Sequence, residues 1–414
     1  MERRSAPARV RPAPLVGLLF LCLAAALPAR AQLVLGQYED EAPLASWNVY
    51  GFAGAPARAL GGVRIGRGFD ASVSTTNPAL LLTLPRASAC LTGSYTAASL
   101  YRFSIVNTGV LATSLNVSIG SFALETAAFA VRAGGWAFGV AAGILENYAR
   151  PFVRTGDASV GVDQTGVLRL WNAAAARRLG RRLSVGAGLN LVEGRLDRTV
   201  YDVWPYQEIA ITDVRSERLR GFYANAGLRL ELSPSVAVSL AGRSPCLRTS
   251  KAASLLRYEA PDADIRIEAE ARNEYRQPWV AGAGLDWRWA KGWGLAADLT
   301  YFGWSRYRVL YFDEPLARDF RDVLTGSAGI ERVLEGRLGS RPVLFPLRLG
   351  LAYDRQPMAG PRSAYVSLTA GVGLRAGRWT ADLSGRLGRE SGSGRGLWAG
   401  GVALGLGCAL DDKR

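Results

Sequence analysis

Asp286, Arg288, Asp298, Arg348, Asp354 and Arg375 are the residues whose types and spacing point to chemistry. Each sits at an alternating position of an extended segment, on the side of its small or polar neighbours. All six are therefore expected on one inner face. Charges of both signs on a shared face pair with one another more often than they hold a charged ligand, and both readings stay open here. Catalysis is the poorer reading. The chain has no histidine, which removes Ser-His-Asp and Cys-His nucleophilic chemistry and most zinc sites. No enzyme, metal site or cofactor is expected.

The elements that must position these residues are strands. Ala364, Val366, Leu368, Ala370, Val372 and Leu374 alternate with Ser363, Tyr365, Ser367, Thr369, Gly371, Gly373 and Arg375, the period of a strand with two unlike faces. The pattern recurs from about Ala89 to the C-terminus. A secretory signal is expected ahead of it at residues 1–31. Arg3, Arg4, Arg9 and Arg11 precede an apolar run from Leu15 to Leu27, and Ala29-Arg30-Ala31 makes an A-x-A site. That run is too short to span a bilayer as a helix of about 20 residues, and no later stretch is long enough. Yet hydrophobic residues make up 49% of the chain, with 48 glycines and 11 tryptophans. Only helices and closed barrels satisfy every backbone group in lipid. The reading is all-β: a 14-stranded antiparallel transmembrane β-barrel in the bacterial outer membrane.

Short turns at Ala133-Gly134-Gly135, Gly180-Arg181, Ser233-Pro234, Ala290-Lys291-Gly292 and Ala376-Gly377 set the strand count. A further turn near 336–341 separates fourteen from twelve. Trp136, Trp293 and Trp379 follow such turns, as in an interfacial girdle. Longer polar connections are expected near Ala149–Thr165, Tyr201–Ser216, Lys251–Asp264 and Asp313–Arg321. Parity puts Leu183, Val185, Ala187, Leu189 and Leu191 outward, and Ser184, Gly186, Gly188 and Asn190 inward. It also sets Cys90 and Cys408 on opposite faces, so free thiols are expected. The net charge of +15 becomes +11 when five arginines and one glutamate leave with the signal. The basic residues are scattered, which suits anionic lipopolysaccharide and outer-membrane lipids rather than nucleic acid. A monomer is expected.

Residues 32–88 stand apart, because Gln32–Pro85 does not alternate. A fourteen-stranded lumen is too wide for side chains to fill, so this segment is expected to act as a hatch, with residues 89–414 as the barrel. Ala59-Leu60-Gly61-Gly62-Val63-Arg64-Ile65-Gly66, Phe69-Asp70-Ala71-Ser72, Thr76-Asn77-Pro78-Ala79-Leu80 and Leu84-Pro85 resemble the N-terminal hatch of the FadL/TodX family. Pro278-Trp279, Lys291-Gly292-Trp293, Tyr301-Phe302-Gly303-Trp304-Ser305 and Leu347–Asp354 resemble its later strands. The family comprises outer-membrane transporters of long-chain fatty acids and aromatic hydrocarbons.

The resemblance implies uptake of a hydrophobic small molecule. Such a molecule would be caught among the outer loops, moved to a pocket beside the hatch, and released sideways through the wall. Asn77, Pro78, Ala79 and Leu80 are the hatch residues it points to. Here the outer loops lack the family's long helical insertions. Val203, Trp204, Tyr206, Ile209 and Ile211 are either an apolar capture patch or two strand ends with girdle aromatics. Two further readings remain: a structural or secretion-associated barrel, and a general diffusion porin, which requires Gln32–Pro85 to lie outside the lumen.

Overall fold

The computed structural model describes residues 50–106, 112–148, 159–204, 208–311, 313–316, 319–357, 362–392 and 398–410. The expected signal lies outside them. Strands pair in chain order. β1 (Ala87–Val106) pairs with β2 (Ala112–Ala133), followed by β3 (Trp136–Asn147), β4 (Ser159–Leu179), β5 (Leu183–Trp204) and β6 (Ile209–Glu231). The next four staves are each broken in two. They are β7 (Val236–Arg243) with β8 (Cys246–Ala260), and β9 (Ala263–Gln277) with β10 (Val280–Ala290). Then come β11 (Trp293–Phe302) with β12 (Arg308–Tyr311), and β13 (Glu314–Leu316) with β14 (Val323–Leu338). β15 (Arg341–Arg355), β16 (Ala364–Ala376), β17 (Trp379–Ser391) and β18 (Trp398–Ala409) follow. β18 pairs with β1 over Ser88–Ala98, closing a fourteen-stave antiparallel barrel. Closure leaves no open edge in the closed part of the wall.

The turn that separated fourteen from twelve is present: Leu338 pairs with Arg341 around Gly339 and Ser340. Turns at this end are tight. Gly134 and Gly135 take φ of 57° and 84°, the pair of left-handed residues that a two-residue type I′ hairpin requires. Arg177, Arg332 and Arg378 lie over the rings of Trp136, Trp293 and Trp379 at 5.0–5.5 Å. These pairs ring the short-turn end. Leu189, Leu240, Leu368 and Leu404 are exposed on the outer face, and Ser184, Asn190, Asp382 and Ser384 are buried on the inner one, as parity required. Cys90 pairs with Gly407, one step from Cys408, and the three cysteines among the described residues are free.

Two expected loops are strands instead, and of a third, Ala149–Thr165, the residues Ser159–Thr165 belong to β4. Tyr201–Ser216 continues the β5–β6 ladder to Trp204 and Ile209, and Lys251–Asp264 continues β8–β9 to Ala260 and Ala263. β6 also pairs with β8 from Phe222 and Leu247 out to Ala210 and Glu259. A five-stranded sheet of β4, β5, β6, β8 and β9 therefore runs well past the 9–11 or so residues a spanning strand needs, as does the β1–β2 hairpin, paired out to Val106 and Ala112. Its polar composition comes from water on both faces; ladder bonds still satisfy the backbone.

Four adjacent staves break in one row. Arg243, Val280, Phe302 and Val323 are in register. Just beyond them come Ser244-Pro245, Pro278-Trp279 and Gly303–Tyr307. Pro245 and Pro278 have no N–H to give to a ladder. Ser244 patches part of the gap: its N–H donates to the Ala224 carbonyl, and its Oγ accepts from the Ala224 N–H at 3.0 Å. Inside the break, the Trp304, Tyr307 and Phe320 rings meet at centroid distances of 5.3–5.6 Å.

Candidate functional site

The core of this protein lies inside the barrel. Phe52, Leu60, Ile65, Leu80 and Leu81, all before β1, are fully buried together with Leu145, Leu168, Leu170 and Tyr223 of the wall. Residues 50–85 form a short helix, α1 (Ala55–Ala59), and two 3-10 turns at Ala71–Thr75 and Pro78–Thr83. Elements this short are not stable alone; the wall holds them.

Inner glycines let the two backbones meet. A first arc runs from β18 to β10. Ala55 lies against Gly405, Ala59 against Gly371, Leu60 against Gly350 and Gly329, and Gly66 against Gly284. A second arc runs from β6 to β2. Asn77 lies against Gly227, Pro78 and Ala79 against Gly186, and Leu81 against Gly139; the Leu82 carbonyl accepts from Arg132. A Cβ on Gly186 would come within 2.8 Å of the Ala79 nitrogen, so the turn sits in a space no side chain could share.

Polar contacts fix the segment along the same path. Asp298 on β11 accepts the N–H groups of Arg64, Ile65 and Gly66 at 2.6, 2.7 and 2.8 Å. Arg67 pairs with Asp286 at 2.5 Å and Glu331 at 3.4 Å. Arg58 pairs with Glu125. Thr369 accepts from the Gly61 N–H and donates to the Ala59 carbonyl. Three asparagines on neighbouring staves form a chain: Asn172 donates to Asn190 at 2.9 Å, Asn190 to Asn225 at 2.8 Å, and Asn225 to the Ser74 carbonyl at 3.0 Å. Burial lowers the Arg64 guanidinium to about 10, against the pull of Asp298. Burial also raises the Asp70 carboxyl, although bonds from Ser72 oppose this.

Asn77, Pro78, Ala79 and Leu80 are brought together and fully buried. Asn77 caps the second 3-10 turn by accepting from the Ala79 N–H, and donates to the Ile65 carbonyl at 2.9 Å. It thereby ties the two arcs together. Asn77→Ala removes a cap worth about 1 kcal/mol and leaves a buried carbonyl unpaired. Hydrogen exchange at residues 65–82 should rise at least severalfold while the wall is unchanged. Wild-type exchange there would show that the tie does not matter. Trp204, Ile209 and Ile211 lie on the β5–β6 hairpin, near its tip and away from the Gly186 contact; Tyr206 is outside the described residues. Asp286, Arg348 and Asp298 face inward as expected. Arg348 pairs with Glu331 at 2.7 Å and Asp382 at 2.5 Å. Sequence reasoning placed Asp298 on the inner face but gave no sign of its backbone partners. The glycine seats were equally hidden.

Two cavities flank the packed segment. A groove of about 780 Å³ is lined by Ala173, Ala175, Ala187, Ala224, Ala226 and Ser244, mostly outward-facing small residues beside the broken row. A chamber of about 1030 Å³ opens at the short-turn end, where Gly292, Gly377, Ser88 and Ala409 line it.

No family model matches the sequence, and no curated protein matches it. Solved structures do. The monoaromatic hydrocarbon channel CymD is 16% identical with a TM-score of 0.60, covering 87% of this chain and 98% of that one. The Ralstonia pickettii toluene transporter TbuX is 17% identical with a TM-score of 0.59 over the same shares. A Pseudomonas aeruginosa FadL homologue is 14% identical with a TM-score of 0.64, again over 87% and 98%. The fold of this chain is that of the FadL/TodX-type barrels.

Proposed function

We propose that this chain, whose fold is shared with hydrocarbon channels and a FadL homologue, takes up hydrophobic small molecules across the bacterial outer membrane. It is read as a transporter, not an enzyme. Residues 1–31 are its signal, residues 32–88 its hatch and residues 89–414 its barrel. The observation that carries the reading is the broken row across four staves, with a packed apolar core inside it and a small-residue groove outside. A greasy molecule gains nothing from a watery channel; a sideways route keeps it out of water. The β5–β6 hairpin bearing Trp204, Tyr206, Ile209 and Ile211 is the proposed capture region. The turn at Asn77, Pro78, Ala79 and Leu80 is the proposed moving part, because it packs on β5 and β6 next to that groove. Outer-membrane lipid and lipopolysaccharide surround the wall, and the barrel acts as a monomer. The porin reading is disfavoured because residues 50–85 pack against the inner face.

In lipopolysaccharide-containing vesicles the intact chain should speed pyrene uptake. Pro78→Ala should cut that rate severalfold, with little change in barrel heat stability. Equal uptake with and without the chain overturns the reading. Failure of Pro78→Ala to fold would give Pro78 a purely structural role.

A further inference from the structure

Basic residues scattered along the sequence are gathered by strand register on the outer face of the wall. Arg195 on β5 pairs with Arg218 on β6, Arg218 with Lys251 on β8, and Lys251 with Arg272 on β9. Directly opposed residues share a face, and all four are exposed. One row of cations therefore crosses four adjacent staves, on the half of the wall away from the short turns.

Like charges directly opposite one another weaken a sheet, and this row has such a step at every strand pair. Carboxylates answer only its ends. Arg195 pairs with Asp197 at 2.6 Å and Arg272 with Glu274 at 3.5 Å, each along its own strand, and Glu274 is shared with Arg276. The next outward-facing row away from the membrane carries Asp197 and Glu270 at its two ends, with Ser216 and Ala253 between them. Arg218 and Lys251, in the middle, have no ion pair or side-chain hydrogen bond among the described residues.

Four residues nearer the short turns lies a second registered row, Trp171, Leu191, Phe222 and Leu247, exposed and apolar. Four residues are about 13 Å of strand, and strand tilt reduces this to roughly 10 Å along the membrane normal. That is the scale of one headgroup layer. Acyl chains thus meet the apolar row where phosphates meet the cations. Arginine presents a fork that matches phosphate oxygens, and lysine a compact point charge. The cation row is about 14 Å across, wider than a single phosphate covers.

We propose that the row of Arg195, Arg218, Lys251 and Arg272 binds the phosphorylated sugar head of one lipopolysaccharide molecule, whose acyl chains lie on the apolar row below. The inference rests on the outer-membrane reading and deepens it, from lipid that surrounds the wall to lipid held at one place on it. Binding is measured without transport. Pyrene uptake, read separately in phosphatidylcholine vesicles, tests the transport reading, so either result can fail while the other stands.

The probe is bisphosphorylated lipid A, added to the detergent-solubilised full-length barrel and followed by thermophoresis. Dephosphorylated lipid A, phosphatidylglycerol and inorganic pyrophosphate are the comparators. Lipid A should bind saturably, at least about tenfold more tightly than each comparator, and more weakly as salt rises. Arg218→Gln combined with Lys251→Gln should weaken it by about tenfold or more, the effect of two cations beside an anionic surface. Arg181→Gln combined with Arg182→Gln removes the same charge from an exposed short turn and should bind as wild type does. Without lipid, the row variant should be at least as heat-stable as wild type, because opposed cations are gone. Lower heat stability together with lost binding assigns the row to structure and overturns the site. Equal binding by wild type and the row variant overturns it too, and so does an equal loss in the turn variant, which would show net charge alone at work. Phosphatidylglycerol or pyrophosphate binding as tightly as lipid A overturns the lipopolysaccharide assignment. If the row variant does not fold, wild type decides: equal binding of both forms of lipid A overturns the site, and a tenfold preference for the phosphorylated form supports it.

Discussion

Without residues 32–85, the barrel should conduct ions steadily in a planar bilayer where the full-length chain conducts few or none. The wall does not depend on the segment for its hydrogen bonds. Each stave pairs with its neighbours, and β18 closes on β1 over eleven residues of β1. The space left behind is lined by Asp286, Asp298, Glu331, Arg348 and Asp382, groups that water solvates readily once exposed. Lumens of this width are not filled by side chains. The deleted chain should also lose protection in hydrogen exchange along the inner glycines, because backbones that were packed become wet. Unchanged conductance with a folded barrel would sink the idea that this segment is the barrier, whatever else it does.

Asp298→Ala should loosen the segment without removing it. The carboxylate holds three consecutive N–H groups, those of Arg64, Ile65 and Gly66. Truncation strands three buried donors, at about 1–3 kcal/mol each. The summed loss is large against the stability of so short a stretch. Exchange at residues 64–66 should rise by orders of magnitude, and bilayer recordings should show flickering current between the silent wild type and the open deletion. Asp298→Asn should not rescue it. One oxygen becomes an NH₂ group facing a donor, so at least one bond becomes a clash. Wild-type exchange at Arg64–Gly66 in Asp298→Ala would show that the glycine seats alone hold the arc.

The strands were legible because lipid outside and polar or packed surface inside impose unlike demands on alternate residues. Leu183–Leu191 and Trp379–Leu387 show both demands clearly. The outer hairpins were not legible. In the stretch expected as a loop at Lys251–Asp264, the doublets Ala252-Ala253 and Leu255-Leu256 interrupt the alternation, so no clean apolar period marks that part of β8. Nor were the broken staves: Pro278-Trp279, grouped with the later strands by resemblance, is the joint between β9 and β10. At the site, the cap residues Asn77 and Pro78 carried a recognisable turn signature. Asp298 did not, because its partners are backbone groups, which leave no trace in side-chain types. Gly284, Gly329 and Gly350 looked like three among many glycines; only the approach of another chain segment to each distinguishes them.

The two arcs of the inner segment also act as a gauge of circumference. Successive residues meet β18, β16, β15, β14 and β10, and then β6, β5, β3 and β2, always in the same rotational sense. A contact sequence of that kind has a fixed length. A barrel gaining or losing one hairpin would slide every later seat out of step with its residue, so Asn77 would no longer meet Gly227. The number of staves and the spacing between Ala55 and Leu82 are thus tied to each other. Hatches could be exchanged between barrels of equal girth, but not between barrels of different girth.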